Sequence, residues 1–295
     1  MHSRDYNLLV NLKEFFGVGN VSLKAKTSYY SVGSKEDISI IIQHFKLFPL
    51  QTSKRNSFYI FSIVFDMFCK KEHLTVEGFM KAVSYINFLN KPLEPETLKS
   101  VTEVYGKLPL LTLPPVIKYC SIDLPSPWWI VGFICGDGSF SYVKIAKKET
   151  NKLFFYFNMS ISQLKMDKYV LLSISNFLGA GTVYEYEDRK QAELVIRNFK
   201  VIQHILLPFF LLYPMMGYKG TQYNIWLEAV LLTLGTTEYS KERENQLLKL
   251  ITNLSELNGY SRELKVLNEV KNLSNKGEKP ILAPLQIVDK DEVSK

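Results

Sequence analysis

The chain repeats itself, and that repeat limits its fold more than any other feature. His2–Gly19 (HSRDYNLLVNLKEFFGVG) and Leu164–Gly181 (LKMDKYVLLSISNFLGAG) align at a constant offset of 162. Asp5 falls on Asp167, Leu9 on Leu171, Leu12 on Ile174 and Phe15 on Phe177, while Gly17 and Gly19 fall on Gly179 and Gly181. Apolar positions at i, i+3, i+4 and i+7 predict an amphipathic helix in both segments, stopped by the glycines. The correspondence resumes at an offset of 165, where Phe45, Phe48, Pro49 and Lys54 meet Phe210, Tyr213, Pro214 and Lys219. Phe58 and Phe61 then meet Tyr223 and Trp226, and INFLN ending at Asn90 resembles LSELN ending at Asn258. Two copies of one module account for this pattern.

The second copy has a complete layout. Ser126 is a suitable N-cap and Pro127 a suitable first-turn residue for a helix over about Pro127–Gly136. Alternation predicts strands at Ser139–Lys148 and Leu153–Gln163, joined by a polar turn at Glu149–Lys152. The helix opened by Asp167 follows, then strands at Thr182–Tyr186 and Glu193–Phe199, then further helices from Val201. The first copy begins only at the second helix of this order, with strands at Asn20–Ala25 and Tyr29–Gly33. Nothing in it corresponds to Trp128–Gln163, and it is left with a two-stranded sheet that has an open edge. The expected divisions are residues 1–90 and 127–258 for the copies, 91–126 for a proline-rich extended connector, and 259–295 for a charged tail carrying a short helix and a frayed end.

Bulk properties narrow the function classes. No run approaches the roughly 18 apolar residues of a membrane span, and MHSRDYNLL carries neither an apolar signal core nor transit-peptide character. Cys69, Cys120 and Cys135 lack paired spacing and read as buried apolar residues in a reducing compartment. With His2, His44, His73 and His204 equally scattered, a His/Cys metal cluster is not expected. The 36 Lys and Arg outnumber 29 Asp and Glu, a modest excess that fits a polyanionic partner. Abundant Lys, Asn, Tyr, Phe and Ile, all with AT-rich codons, point to an AT-rich genome such as a fungal mitochondrial one.

Chemistry concentrates in Trp129–Phe140 (WIVGFICGDGSF). Gly132 and Gly136 lie four apart on one helix face, where a partner helix can approach closely. Asp137 sits at the end of that helix, beyond the seam. Two such helices side by side would bring two carboxylates to shared Mg²⁺ ions, and in two-metal hydrolysis one site activates water while the other stabilises the leaving oxygen.

The nine letters of the motif that names the LAGLIDADG homing endonucleases and maturases align on Ile130–Gly138, identical at Gly132, Ile134, Asp137 and Gly138 and with Cys135 where many relatives carry an acid, and the chain resembles that family. The resemblance implies an α+β fold of two pseudo-symmetric αββαββα halves whose antiparallel sheets form a saddle over double-stranded DNA. It implies catalytic roles for Asp137, for Gln163, and for Lys54 and Lys219, each five residues after a proline. It also implies a metal site at Asp137 with Gly136, helix packing through Gly132 and Gly136, and Mg²⁺ as cofactor. One alternate set of strand residues should face DNA, although alternation leaves the parity open. Tyr142, Lys144, Lys148, Asn158, Ser160, Tyr184, Tyr186 and Arg189 are the candidates in the second copy, with Lys24, Lys26, Tyr29 and Lys35 in the first.

These implications lead to a site-specific DNA endonuclease encoded by an organellar intron, acting in the mitochondrial matrix rather than a chloroplast. The alternatives are a maturase that binds group I intron RNA and a non-catalytic RNA-binding protein on the same scaffold. A monomer is expected. Only one motif acid is present, which three arrangements explain: a product that starts upstream of Met1, a decaying remnant, or a dimer in which each chain contributes Asp137.

Overall fold

The repeat becomes structural at two helix ends. Helix α1 (Tyr6–Phe16) stops at Gly17 with φ 70°, and its counterpart in the second copy, α7 (Lys168–Leu178), stops at Gly179 with φ 61°. This left-handed backbone is open to glycine without a steric penalty. Two residues on, a side chain on Gly181 would come within 2.6 Å of Leu194, and one on Gly19 within 2.8 Å of the Ser31 carbonyl. Each helix therefore turns tightly into a hairpin: β1 (Asn20–Lys24) with β2 (Thr27–Ser31), and β5 (Thr182–Tyr186) with β6 (Gln191–Ile196).

The computed structural model describes residues 1–89, 92–111, 126–147, 152–234 and 240–257. The first copy continues with α2 (Lys35–Leu47), α3 (Lys54–Cys69) and α4 (Val76–Ile86). A further helix, α5 (Pro95–Tyr105), corrects the reading of 91–126 as wholly extended. Pro95 stands at the first helical position, where its missing N–H costs nothing and its fixed φ suits the helix. The rest of that connector from 112 to 125, and the tail expected at 259–295, lie outside the described residues.

The second copy opens with α6 (Pro127–Asp137), β3 (Gly138–Lys147) and β4 (Lys152–Leu164), ahead of α7. Its antiparallel sheet has the order β3-β4-β6-β5. After β6 come α8 (Phe199–Val201), a π turn at Ile202–Leu206, α9 (Leu207–Leu212), α10 (Gly217–Leu234) and α11 (Lys241–Leu257). The strand expected to reach Phe199 ends at Ile196, because Asn198 leaves the strand to cap α8 through its side-chain oxygen.

The chain divides into two compact units, Met1–Tyr223 and Asn224–Lys295. In the first unit one face of the four-stranded sheet is apolar. Phe140, Phe157, Met159, Ile161, Ala192, Leu194 and Ile196 are buried there, with Val170, Leu171 and Ile174 of α7 and Ile130, Val131 and Ile134 of α6. The first copy is thinner: α1 buries Leu9 alone, whereas α7 buries four residues. The edge expected to be open carries the chain start. Met1 exchanges both backbone hydrogen bonds with Ser28, and the Ser3 N–H donates to the Lys26 carbonyl, as Lys165 does to Lys190. In the second unit, Ala229, Val230, Leu247, Ile251 and Leu254 are buried, and Arg243 Nη2 donates to the Thr233 carbonyl at 2.9 Å. Among the described residues no helix is long and apolar enough to cross a membrane. Cys69 is exposed and Cys135 half-buried, which corrects the expectation that both are core residues.

Tyr223 is 6% exposed and lies against the rings of Phe140 and Phe210. Burial disfavours the phenolate and pushes its pKa up to about 12. A group that holds its proton more tightly when folded contributes stability below its unfolded pKa and loses it as pH rises through the folded one. Stability should therefore fall by about 2–3 kcal/mol between about pH 10 and 12 on this account. Alkaline denaturation curves should lose that component in Tyr223→Phe, and an ultraviolet titration should lose one late-ionising tyrosine.

Candidate active site and nucleic-acid face

The junction of α6 and β3 gathers the reactive side chains. Ser126 Oγ accepts the Trp129 N–H at 3.3 Å, and Pro127 occupies the first turn. Ile130, Val131 and Ile134 anchor the helix in the core. Its exit needs a glycine for close approach, since a Cβ on Gly138 would stand 2.5 Å from the Ile134 carbonyl. The chain thus passes directly from helix to strand and leaves Asp137 exposed at the end of α6.

Strand register supplies the next group. Gly138 pairs with Ile161, so Gln163 comes alongside the helix end. Its Nε2 donates to Asp137 Oδ2 at 2.7 Å. From α10, Lys219 Nζ donates to the Gly138 carbonyl at 2.7 Å. Burial holds the Lys219 ammonium below its ordinary pKa; Arg4 lowers it further, while Cys135, Asp5 and Asp137 act in the opposite direction. Burial likewise pushes the Cys135 thiol up. Three of the four residues expected to be catalytic therefore converge. Lys54 stands exposed at the first residue of α3 and joins none of these contacts.

Two residues that the sequence did not mark as functional belong to this neighbourhood. Asp5 Oδ1 accepts the Tyr218 N–H at 2.8 Å, and the Arg4 guanidinium lies 3.4 Å from the centre of the Tyr218 ring. Asp5 was visible only as a repeat marker.

The donor set can be tested against a metal. Among the described residues no three His, Cys, Asp or Glu side chains cluster as an ion cage. A single exposed carboxylate held in orientation by an amide still fits a hydrated hard cation that takes its other oxygens from water and phosphate. Gly136, also exposed, lies in the last turn of α6, whose carbonyls lack helical partners. The small-residue face is open: a Cβ on Gly132 or Gly136 would meet nothing within 4 Å among the described residues, so no helix packs there.

Register also resolves the parity of the strands. Tyr142 and Lys144 share the face of Phe140 and Phe157, toward the core, and are corrected as members of the outward set. The outward face of β3 carries Ser139, Ser141, Val143 and Ile145 instead. Asn158 on β4 and Tyr184 and Tyr186 on β5 do share that outward face, whereas Ser160 has the same parity but is buried beside Val195, which corrects it as a surface candidate. Ser141 Oγ donates to Asn158 Oδ1 across it at 3.0 Å. Arg189 lies over the Tyr186 ring at 4.1 Å, and Arg197, which the sequence reading missed, over Tyr184 at 5.7 Å. In the first copy Lys24 and Tyr29 share one parity, Lys26 is in the turn, and Lys35 opens α2 with its ammonium over Phe68. Lys148 lies outside the described residues.

The profile of the LAGLIDADG endonuclease family matches residues 1–65 and 130–230. The chain belongs to that family. It is 32% identical over 257 residues to a probable intron-encoded endonuclease of Neurospora crassa, a match covering 85% of this chain and 46% of the relative. It is 32% identical over 114 residues to an uncharacterized mitochondrial protein of Saccharomyces cerevisiae, covering 39% of this chain and 23% of the relative. The chain thus spans about half or less of the length of the curated relatives it matches. The LAGLIDADG homing endonuclease I-SmaMI has been solved bound to cleaved DNA; that structure matches at TM-score 0.76 and 26% identity, over 85% of this chain and 83% of the other. A second structure of I-SmaMI, bound to uncleaved DNA target in the presence of calcium ions, matches at TM-score 0.77 and 26% identity over 85% of each chain.

Proposed function

We propose that the chain is a site-specific DNA endonuclease encoded by a mitochondrial intron, hydrolysing phosphodiester bonds of double-stranded DNA with Mg²⁺. The observation that carries this reading is the convergence of Asp137, Gln163 and Lys219 at the end of the motif helix. A bound Mg²⁺ would be held by Asp137 with the Gly136 carbonyl, neutralising phosphate charge and acidifying a water. Gln163 keeps one carboxylate oxygen occupied and so aims the other. Lys219, tethered to the Gly138 carbonyl, offers its remaining N–H bonds to a phosphate oxygen as negative charge builds. Asn158, Tyr184, Tyr186 and the two arginines stacked on those tyrosines would meet the duplex, the arginines at phosphates or guanine edges. Fungal relatives and the AT-rich residue usage support the mitochondrial origin.

A second reading is favoured by one specific observation. The site offers one motif carboxylate, and no helix faces Gly132 and Gly136 among the described residues. Binding of group I intron RNA by a maturase needs no acid pair. Incubating the purified full chain with a plasmid carrying the intronless exon junction separates the readings. Conversion of supercoiled plasmid to linear product in Mg²⁺, and none in EDTA, is the expected result. An untouched plasmid together with rescued intron splicing would overturn the endonuclease reading in favour of the maturase.

A further inference from the structure

Asp5 and Asp167 occupy the same place in the two copies and do the same unusual thing. Each stands at the N-cap of its helix, α1 or α7, with φ −98° in both and ψ 18° and 11°. An aspartate there ordinarily accepts an N–H from the first turn of its own helix. Neither does so. Asp167, 3% exposed, accepts the Ser53 N–H at 2.6 Å and the Ser53 Oγ–H at 2.8 Å. Asp5 accepts the Tyr218 N–H at 2.8 Å. Ser53 and Tyr218 are matched positions at the repeat offset of 165, each immediately before the matched lysine, Lys54 or Lys219. The carboxylate of each copy therefore holds the opening turn of the lysine-bearing helix of the other.

We propose that Asp5 and Asp167 are reciprocal positioning residues, each fixing across the repeat the helix start that carries the other copy's lysine. The donors they satisfy lie at a helix start, where backbone N–H groups have no carbonyl of their own helix to reach, and an anion there is favoured by the helix dipole. On the α3 side the hold needs the carboxylate, because Ser53 makes no side-chain cap of its own. Around it the Tyr169 O–H donates to the Gln51 carbonyl at 2.9 Å, tying α7 to the approach to α3. On the α10 side Tyr218 lacks a hydroxyl close enough to its backbone to serve as Ser53 does, and Arg4 supplies the second grip by stacking on its ring. Lys219 is thereby set against Gly138 by a residue of the other copy. The role assigned to the lysines rests on the endonuclease reading; the crosswise hold does not.

Amide hydrogen exchange on the full chain tests the hold without any DNA. Asp167→Ala should speed exchange at Ser53 about tenfold or more and leave Tyr218 unchanged, the size expected for losing a hydrogen bond to a charged acceptor. Asp5→Ala should do the reverse. The Asn variants keep an acceptor oxygen and should restore most of the protection, which distinguishes loss of the contact from misfolding. Faster exchange confined to the variant's own helix, or an equal rise everywhere, would overturn the proposal. In cleavage, Asp5→Ala should lower kcat about tenfold with KM within about twofold, and Asp5→Asn should recover most of the loss. Unchanged kcat in a cleaving protein would overturn the positioning role. If the unsubstituted chain cuts no DNA, the endonuclease reading falls and the exchange result alone decides the hold.

Discussion

Asp137→Asn is expected to abolish DNA cleavage, a fall of about a thousandfold or more in single-turnover rate, while DNA affinity stays within about threefold. The substitution is close to isosteric. Asparagine keeps an oxygen that can accept the Gln163 Nε2–H, so the contact now 2.7 Å long need not be lost. What goes is the negative charge, and with it the oxygen that a hard cation requires in a site with no cluster of other acids among the described residues. A thousandfold corresponds to about 4 kcal/mol of transition-state stabilisation, within what a metal-activated water supplies. Asp137 is exposed, so its neutralisation should leave the melting temperature nearly unchanged. Single-turnover cleavage, gel shift and thermal melting on the same preparation check all three parts. A variant that cuts at a tenth of the parent rate would place the metal elsewhere.

Much of this site was legible because it depends on short-range pattern. The Ser126–Pro127 start, the apolar turn and the glycine exit specify α6 almost to the residue, and alternation located β3 and β4 within a residue or so. What alternation could not give was which face is which. On β3 the hydrophobic residues point the wrong way: Val143 and Ile145 are 43% and 37% exposed on the outward face, while Tyr142 and Lys144 are half-buried on the core side. Only the pairing with β4, which sets Tyr142 opposite buried Phe157, fixes the parity. Tyrosine and lysine have apolar stems with polar tips and serve on either side. Helix α5 was hidden for a related reason, because a proline at the first helical position looks like one in extended chain.

Long-range contacts were the other blind spot. Gln163 and Asp137 are brought together by the β3–β4 register, and sequence alone placed Gln163 in the site only through resemblance. Arg4 and Asp5 carried no site signature, because their partner Tyr218 lies more than two hundred residues away. The repeat contained the clue: a polar Asp shared by both copies ahead of an apolar helix has a reason to be there, and that reason is the other copy. The same crosswise contacts explain why the compact units do not follow the repeat, since both sheets fall within Met1–Tyr223.

Lys219→Met should lower kcat by about a hundredfold or more with little change in DNA affinity, and the pH profile should show why. The ammonium donates to the Gly138 carbonyl, an acceptor that requires the nitrogen to keep a proton to give, and it lies among Cys135, Arg4, Asp5 and Asp137. Burial sets its pKa below the ordinary lysine value of about 10.4. If the charged form steadies the phosphate, cleavage holds at neutral pH and falls as pH rises through that lowered pKa. The fall should begin below the range where a free lysine titrates. Lys219→Met should cut slowly at every pH and lose this alkaline limb. Asp5→Asn should move the limb to lower pH, because the Asp5 charge is one of the groups that favour the ammonium. An amine acting as general base gives the opposite limb, with cleavage rising through the same pKa. Rates measured between about pH 7 and 10 in the parent, Lys219→Met and Asp5→Asn therefore decide which form of Lys219 does the chemistry.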